Sequence, residues 1–150
     1  MNQQRIDRVK GVEKITEHGA ALAKDAVVHC QQRLDEQHAR LQQLSDYLQE
    51  YAAGLGFAAG GSSQAFALQN YRAFMGKIEQ TIEHQKTVVA QIEAELLACQ
   101  NTAAEANSQH RSVGKLRGRF EVERNRIQGK QEQGVNDAHA AQLRQNPLSI

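Results

Sequence analysis

The sequence has no tryptophan, a single proline and few aromatic residues, which make up 5% of its 150 residues. Charged residues account for 23% of the chain, the net charge is only +1, and glutamine is frequent. This composition suits long helices with much exposed surface better than a thick globular core. We therefore expect one structural unit of extended helices.

The sequence also lacks a long apolar run. Its first twenty residues include four basic residues with no continuous apolar segment behind them, so we expect neither a signal peptide nor a transit sequence. The longest weakly polar run, residues 51–61, is broken by glycine and is far shorter than the ~20 apolar residues that span a bilayer. The expectation is a soluble, cytoplasmic protein with no segment inserted in the membrane.

Cysteine is scarce, with Cys30 and Cys99 the only two in the chain. They form no disulfide framework, and both lie within apolar stripes, where a small buried thiol is the commoner role. A reducing compartment is the simplest interpretation.

Patterns typical of catalytic, metal or phosphate sites are missing as well. The histidines show no HExxH pairing and have no cysteine cluster of ligand spacing nearby. The glycines near residue 56 have no following Lys-Ser or Lys-Thr and no preceding strand, and Glu93 and Glu95 point to different helix faces. We expect no catalytic residue, no cofactor, no metal and no enzymatic activity.

Apolar residues recur at alternating spacings of three and four in both halves of the chain, which is the pattern of a coiled coil. The first stripe is Ala20, Ala23, Val27, Cys30, Leu34, Gln37, Leu41, Leu44, Leu48, Tyr51 and Leu55. The second stripe is Leu68, Tyr71, Met75, Ile78, Ile82, Gln85, Val89, Ile92, Leu96, Cys99, Ala103 and Ala106. The stripes predict an all-α fold in which two long helices form an antiparallel coiled-coil hairpin.

A glycine and serine cluster separates the two stripes and predicts the turn. Residues 56–63 break the first helix, and Ser63 is suited to cap the second. We expect helix 1 at about residues 5–55, the turn at 56–63, helix 2 at about 64–143 and a flexible tail at 144–150. All of these belong to a single coiled-coil domain.

The single polar member of each stripe, Gln37 or Gln85, predicts the register. When Leu55 is paired with Leu68, the residue numbers of every layer add to 122 or 123, and the two glutamines face each other. A slip of one heptad would set each amide against an aliphatic side chain, at a cost of roughly 1–3 kcal/mol apiece. The glutamine pair is therefore expected to fix the register.

The same register bears on the two cysteines. It sets Cys30 beside Ile92 and Cys99 beside Ala23, which separates the thiols by ~10 Å along the axis. No internal disulfide is expected at that distance.

The end of the hairpin away from the turn is expected to be weaker and basic. The second helix should continue through Val113, Leu116, Phe120 and Ile127, but Gly114, Gly118, Gly129 and Gly134 interrupt it at about 1 kcal/mol each. Residues 1–14 hold four basic against two acidic residues, and residues 111–150 hold eight against four. We expect this end to fray until it binds a partner, and the interleaved acids favour an acidic protein surface over nucleic acid.

Several segments resemble a known family. Asn70–Glu79, near the start of the second helix, resembles the corresponding stretch of FliJ, a small coiled-coil component of the bacterial flagellar type III export apparatus. Residues 34–51 match the way the family's first helix enters its loop, and residues 136–138 resemble its short acidic motif without the usual following Glu. The resemblance covers nearly the whole chain.

The resemblance implies a non-enzymatic protein of flagellum biogenesis, motility and chemotaxis, peripherally associated with the inner-membrane export apparatus. It implies three partners: the ring of the export ATPase FliI, which the protein enters like the central stalk of a rotary ATPase, the export gate protein FlhA, and export chaperones. The implied function is stalk-like coupling of the ATPase ring to the gate.

The resemblance also implies a gate-binding patch, whose positions match Phe74, Ile78, Thr81 and Gln85 in this chain. Thr81 and Gln85 differ from the small apolar residue and the histidine of the family. The apolar stripes place Ile78 and Gln85 between the two helices, whereas the resemblance places them on a surface that binds the gate. These two predictions conflict for Ile78 and Gln85. Of the aromatic residues beside the turn, we expect Tyr71 in the core and Phe74 on the surface.

Two other interpretations stay open on the sequence alone. A generic dimerising scaffold would use the same stripes between chains, and the equivalent stalk of a type III secretion injectisome would share the architecture. A prefoldin-like hairpin is disfavoured because it requires strands at the turn, where residues 56–63 show no strand alternation.

Overall fold

The computed structural model describes residues 2–54 and 64–145, and these residues are helical with no strand among them. Helix α1 comprises Asn2–Ala53, and helix α2 comprises Gln64–Gln145. The two helices pack against each other in opposite directions, since Arg33 contacts Glu95 whereas the later residue Gln37 contacts the earlier residue Gln85. The predicted all-α helical hairpin is confirmed.

The helix bounds lie close to those predicted, and both helices are long. Helix α1 begins at Asn2, a few residues before the expected start, and α2 reaches Gln145, just beyond the expected end. The predicted turn at 56–63, the stripe residue Leu55 and the capping role of Ser63 lie outside the described residues. So does the part of the predicted tail after Gln145.

The helices divide into two compact units, each built from part of both helices. One unit is Leu22–Ala103, and the other is Met1–Ala21 together with Ala104–Ile150. The division crosses α1 and α2 without ending either helix.

The Leu22–Ala103 unit has an apolar core along the predicted stripes. Cys30, Leu34, Val89, Ile92 and Leu96 are buried and form one cluster, against which further apolar side chains pack. Those packing residues are Val27, Leu41, Val88 and Cys99. Full burial of an aliphatic side chain contributes roughly 1.5–3 kcal/mol, so this cluster accounts for much of the stability of the helix pair. We refer to the side chains between α1 and α2 as the seam.

The register prediction is right for the glutamines and wrong for the cysteines. Gln85 hydrogen-bonds Gln37, as expected, but the Sγ atoms of Cys30 and Cys99 lie 3.1 Å apart and not a heptad apart. The residue numbers of these two contacting pairs add to 122 and 129. In a coiled coil, each seam side chain inserts between two residues of the facing helix that are one heptad apart. The predicted register assigned only one facing residue to each side chain. It therefore gave Cys30 the neighbour Ile92 and omitted the neighbour Cys99.

Two predicted stripe residues near the turn are more exposed than a seam position requires. Tyr51 is 43% exposed and Leu68 is 40% exposed. Both lie in the part of the helix pair next to the ends of the described helices. Tyr71 is half-buried and Phe74 is exposed, and both agree with the prediction for these two residues.

In the other unit, α2 runs without interruption through the glycines that were expected to break it. None of the described glycines has a positive φ, so their backbone angles are compatible with a regular helix. Each glycine still lowers the stability of the helix, because it loses more backbone entropy on folding than other residues do. Val113, Phe120 and Ile127 are half-buried in the seam, whereas Leu116 is exposed. The predicted interruption is therefore wrong, while fraying in the absence of a partner stays a prediction.

Candidate partner-binding surfaces

Four aromatic side chains group near the turn in the Leu22–Ala103 unit, and we call Tyr47, Tyr51, Tyr71 and Phe74 the aromatic patch. The rings of Tyr51 and Phe74 lie edge to face, with centroids 4.7 Å apart and an interplanar angle of 63°. The Tyr71 hydroxyl donates a hydrogen bond to the main-chain carbonyl of Tyr51. These contacts hold rings from both helices in fixed positions.

The aromatic patch borders an open groove and stays in contact with solvent. Tyr47, Tyr51 and Tyr71 line this groove together with Glu50 and Gly54. Tyr47, Tyr51 and Phe74 are all exposed. Exposed aromatic side chains held by neighbours are the residue type that anchors protein interfaces, because little conformational entropy is lost when a partner covers them.

The four predicted gate-binding residues do not form one uniform surface. Phe74 and Thr81 are exposed, and the Thr81 hydroxyl donates to the main-chain carbonyl of Lys77 at 2.8 Å. Ile78 and Gln85 are half-buried on the side that faces α1. The structure therefore sets Phe74 against Tyr51 of α1, in the aromatic patch that also contains Tyr71.

Gln85 is already engaged within the chain. Its Nε2 donates to the side-chain oxygen of Gln37 at 2.8 Å and to the main-chain oxygen of Gln37 at 3.0 Å. Both predicted register residues are thus in contact. The amide nitrogen of Gln85 already donates two hydrogen bonds within the chain and is not free to donate to a partner protein.

The unit formed by the two chain ends contains a charged cluster in its seam. Arg117 forms ion pairs with Glu13 on α1 and with Glu121 one turn further along α2. Arg117 Nε is buried, and its contact with the Glu13 carboxylate is an ion pair without an aligned hydrogen bond. Its contact with the Glu13 carboxylate, and next the bond to Glu121, raise the pKa of the Arg117 guanidinium above its ordinary value. The Arg117 guanidinium therefore stays protonated at neutral pH.

Polar pairs continue this seam on either side of the charged cluster. The Thr16 hydroxyl lies 3.1 Å from Nδ1 of His110, and Arg124 donates to the Gln3 side chain at 3.0 Å. Ile6 is fully buried nearby. The predicted apolar stripe on α1 began at Ala20 and so left out this part of the seam. Glu13 and Thr16 continue the same spacing of three and four before Ala20, but they were not recognised as seam residues because they are polar.

Beyond that seam, α2 presents a segment whose residues are all exposed. Residues 131–145 are helical and exposed, and two large apolar side chains, Val135 and Leu143, are among them. Exposed apolar side chains on a helix with no covering neighbour are available to pack on a partner. We call residues 131–145 the exposed α2 segment.

Neither a metal-ligand cluster nor a membrane-spanning stretch occurs among the described residues. Over residues 2–54 and 64–145, no three or more His, Cys, Asp or Glu side chains are grouped so that they could hold a metal ion. Within the same residues, neither helix has a stretch that is both long and apolar enough to cross a bilayer. The expectations of no cofactor and no catalytic residue stay predictions.

Comparison with known proteins identifies a family for this chain. No curated protein and no solved structure matched the chain. The family model described as flagellar FliJ protein matches residues 8–149, which is nearly the whole chain. The protein therefore belongs to the FliJ family of flagellar export components, as the resemblance of its segments indicated.

Proposed function

We propose that this chain is a non-enzymatic component of the flagellar type III export apparatus that couples the export ATPase ring to the export gate. The observation that carries the proposal is the family match over residues 8–149. This match favours the flagellar apparatus over an injectisome or a generic scaffold, since the family is described by its flagellar role. The protein acts in the cytoplasm, at the periphery of the inner-membrane export apparatus.

The end of the chain that binds the ATPase ring is, in this proposal, the exposed α2 segment. Its apolar side chains Val135 and Leu143 have no covering partner among the described residues. Residues 111–130, which precede this segment on α2, carry seven basic against two acidic residues, so an acidic surface inside the ring of FliI would complement that part of the helix. Burial of the apolar side chains supplies the affinity, and the basic residues orient the helix.

The gate protein FlhA binds, in this proposal, at Phe74 and the tyrosines beside it. Phe74 and Thr81 are open to a partner, while Ile78 and Gln85 support the surface from the seam. We assign the binding energy to Phe74 because a large exposed ring with fixed neighbours contributes most at an interface. Export chaperones are the third class of partner, and we place them on the exposed faces of the same helices.

The coupling proposal is tested by truncation after Lys130. This variant removes the exposed α2 segment but retains the seam residues up to Ile127. The full chain should stimulate the ATP hydrolysis of purified FliI, and the truncated chain should not. Circular dichroism should show that the remaining residues keep their helicity, so that lost stimulation reports lost contact.

A matched control replaces Val135 and Leu143 with alanine in the full-length chain. Alanine is the best helix former, so these substitutions keep the helix while they remove the apolar contact. Reduced stimulation by this variant supports packing of the segment on the ATPase. Full stimulation by the truncated chain would overturn the assignment of this end to the ring.

A further inference from the structure

We propose that Cys30 and Cys99 form a dithiol site that closes reversibly to a disulfide between α1 and α2. Their Sγ atoms are 3.1 Å apart, and both cysteines are free. A disulfide bond is about 2.0 Å long, so the two sulfur atoms need to approach each other by about 1 Å. The site goes beyond the proposed role in export and does not depend on it.

The surrounding contacts hold the two thiols in place. Arg33 and Glu95, each one helical turn from a cysteine, form an ion pair across the helices at 3.0 Å. Cys30 belongs to the same buried cluster as Leu34 and Leu96. Val27, one turn before Cys30, packs against the same cluster from the other side, so closure keeps the register of the two helices.

The class of oxidant follows from the chemistry of thiols. In exchange with a low-molecular-weight disulfide, one cysteine thiolate attacks a sulfur of the reagent, forms a mixed disulfide and releases one small thiol. The second cysteine attacks the bound cysteine sulfur, forms the Cys30–Cys99 bond and releases the second small thiol. The two cysteines are oxidised, the reagent is reduced to two thiols, and the two cysteine protons pass through water to those thiols.

The two cysteines differ in accessibility, which gives the order of the steps. Cys30 is 8% exposed, whereas Cys99 is half-buried. The reagent therefore reaches Cys99 first, and Cys30 completes the bond from inside the seam. Once Cys99 carries the reagent, the buried Cys30 is the nearest thiol, so the mixed disulfide should be short-lived.

The contact between the two thiols and the burial of Cys30 set the pH dependence of the exchange, and charged neighbours modify it. The hydrogen bond with Cys99, followed by burial, raises the pKa of the Cys30 thiol above its ordinary value. Arg33 on the same helix opposes this shift, and Glu95 on the facing helix adds to it. Since the thiolate is the attacking form, closure should accelerate as the pH rises toward the pKa of Cys30.

Closure would tie α1 to α2 within the Leu22–Ala103 unit. A covalent link between distant positions of a chain restricts the unfolded state and raises the temperature of unfolding. In a reducing compartment the site would rest as thiols and close under oxidising conditions. The site is thus a modification site for small disulfides, with a closed form that resists helix separation.

The test incubates the full chain with oxidised and reduced glutathione at defined ratios and follows its intact mass. The expected product is a monomer whose mass is lower by two hydrogen atoms, whose unfolding temperature is raised, and which returns to the starting mass on reduction. Peptide mapping should find Cys30 joined to Cys99. A stable adduct with two glutathiones, a disulfide-linked dimer, or no reaction would overturn the proposal.

A matched control moves one thiol along the same stripe, with Cys99→Ala combined with Ala103→Cys. This variant keeps two seam cysteines but places the second one a helical turn further from Cys30. It should form glutathione adducts and show no rise in unfolding temperature. Closure as fast as in the natural chain would show that proximity in the seam is not the cause.

Discussion

Gln85 donates hydrogen bonds to both oxygens of Gln37, one at 2.8 Å to the side chain and one at 3.0 Å to the main chain. Both residues are half-buried within a seam that is otherwise apolar in this region. A polar layer of this kind reduces stability in comparison with an apolar layer, but it penalises every register that separates its members. The pair therefore aligns α1 with α2.

The first prediction is that the two glutamines are energetically coupled. Gln85→Leu removes both hydrogen bonds and should lower the free energy of unfolding by about 1–3 kcal/mol. Gln37→Leu should cost less, because its main-chain oxygen still accepts a bond from Gln85. The double variant should be at least as stable as Gln85→Leu alone, since no amide is left unpaired.

A double-mutant cycle by urea denaturation measures this coupling. The two helices should also become less strictly aligned in the double variant, which paired spin labels would report as a broader distance distribution. Additive effects of the two single substitutions would contradict a direct interaction between the side chains.

The second prediction compares the same substitution inside and outside the seam. Val89 is 6% exposed and Val28 is 50% exposed. Val89→Ala should lower the free energy of unfolding by about 1–2.5 kcal/mol because it removes two buried methyl groups. Val28→Ala should change it by less than about 0.5 kcal/mol. Equal effects on the urea midpoint would show that the seam is wrongly placed.

The third prediction concerns the helical glycines. A Cβ added at Gly76 or Gly118 would meet no neighbouring atom within 4 Å, and neither glycine has a positive φ. Gly76→Ala and Gly118→Ala should therefore each raise the free energy of unfolding by about 0.5–1 kcal/mol. Thermal unfolding followed by circular dichroism checks the result, and a loss of stability at either position would mean that α2 is not regular there.

The fourth prediction concerns the gate-binding surface. Phe74→Ala should weaken binding to the soluble part of FlhA, because Phe74 is held against Tyr51 in the aromatic patch. Phe66→Ala is the matched control, since Phe66 lies on the same helix and is 70% exposed. Calorimetry should show reduced affinity for the first variant alone, with unchanged helicity in both. Similar affinity of the Phe74 variant and the natural chain would remove Phe74 from the interface.

The sequence predicts the seam of the Leu22–Ala103 unit well because its apolar spacing is regular. Stripe members from Val27 to Leu48 and from Tyr71 to Cys99 are all buried or half-buried. The spacing does not reveal that each residue has two neighbours on the facing helix, which is why the contact between Cys30 and Cys99 was missed.

The seam of the chain-end unit was harder to predict for a different reason. Glu13 and Arg117 occupy seam positions. A seam is predicted from the spacing of apolar residues, and charged residues are expected on the surface. The pairing of their charges depends on the register of two distant segments, which the sequence alone leaves undetermined here. The aromatic patch likewise depends on the packing of α1 against α2 near the turn.

A hairpin requires that one molecule pairs its own two helices, and the distance between residues Arg33 and Glu95 measures this pairing. Spin labels at Arg33→Cys and Glu95→Cys, in a chain whose natural cysteines are replaced by serine, would report the separation of α1 and α2 at the observed ion pair. A short distance that persists when labelled chains are diluted into excess unlabelled chains is the predicted result. Loss of the short distance on dilution would show that the helices pair between molecules and would contradict the hairpin.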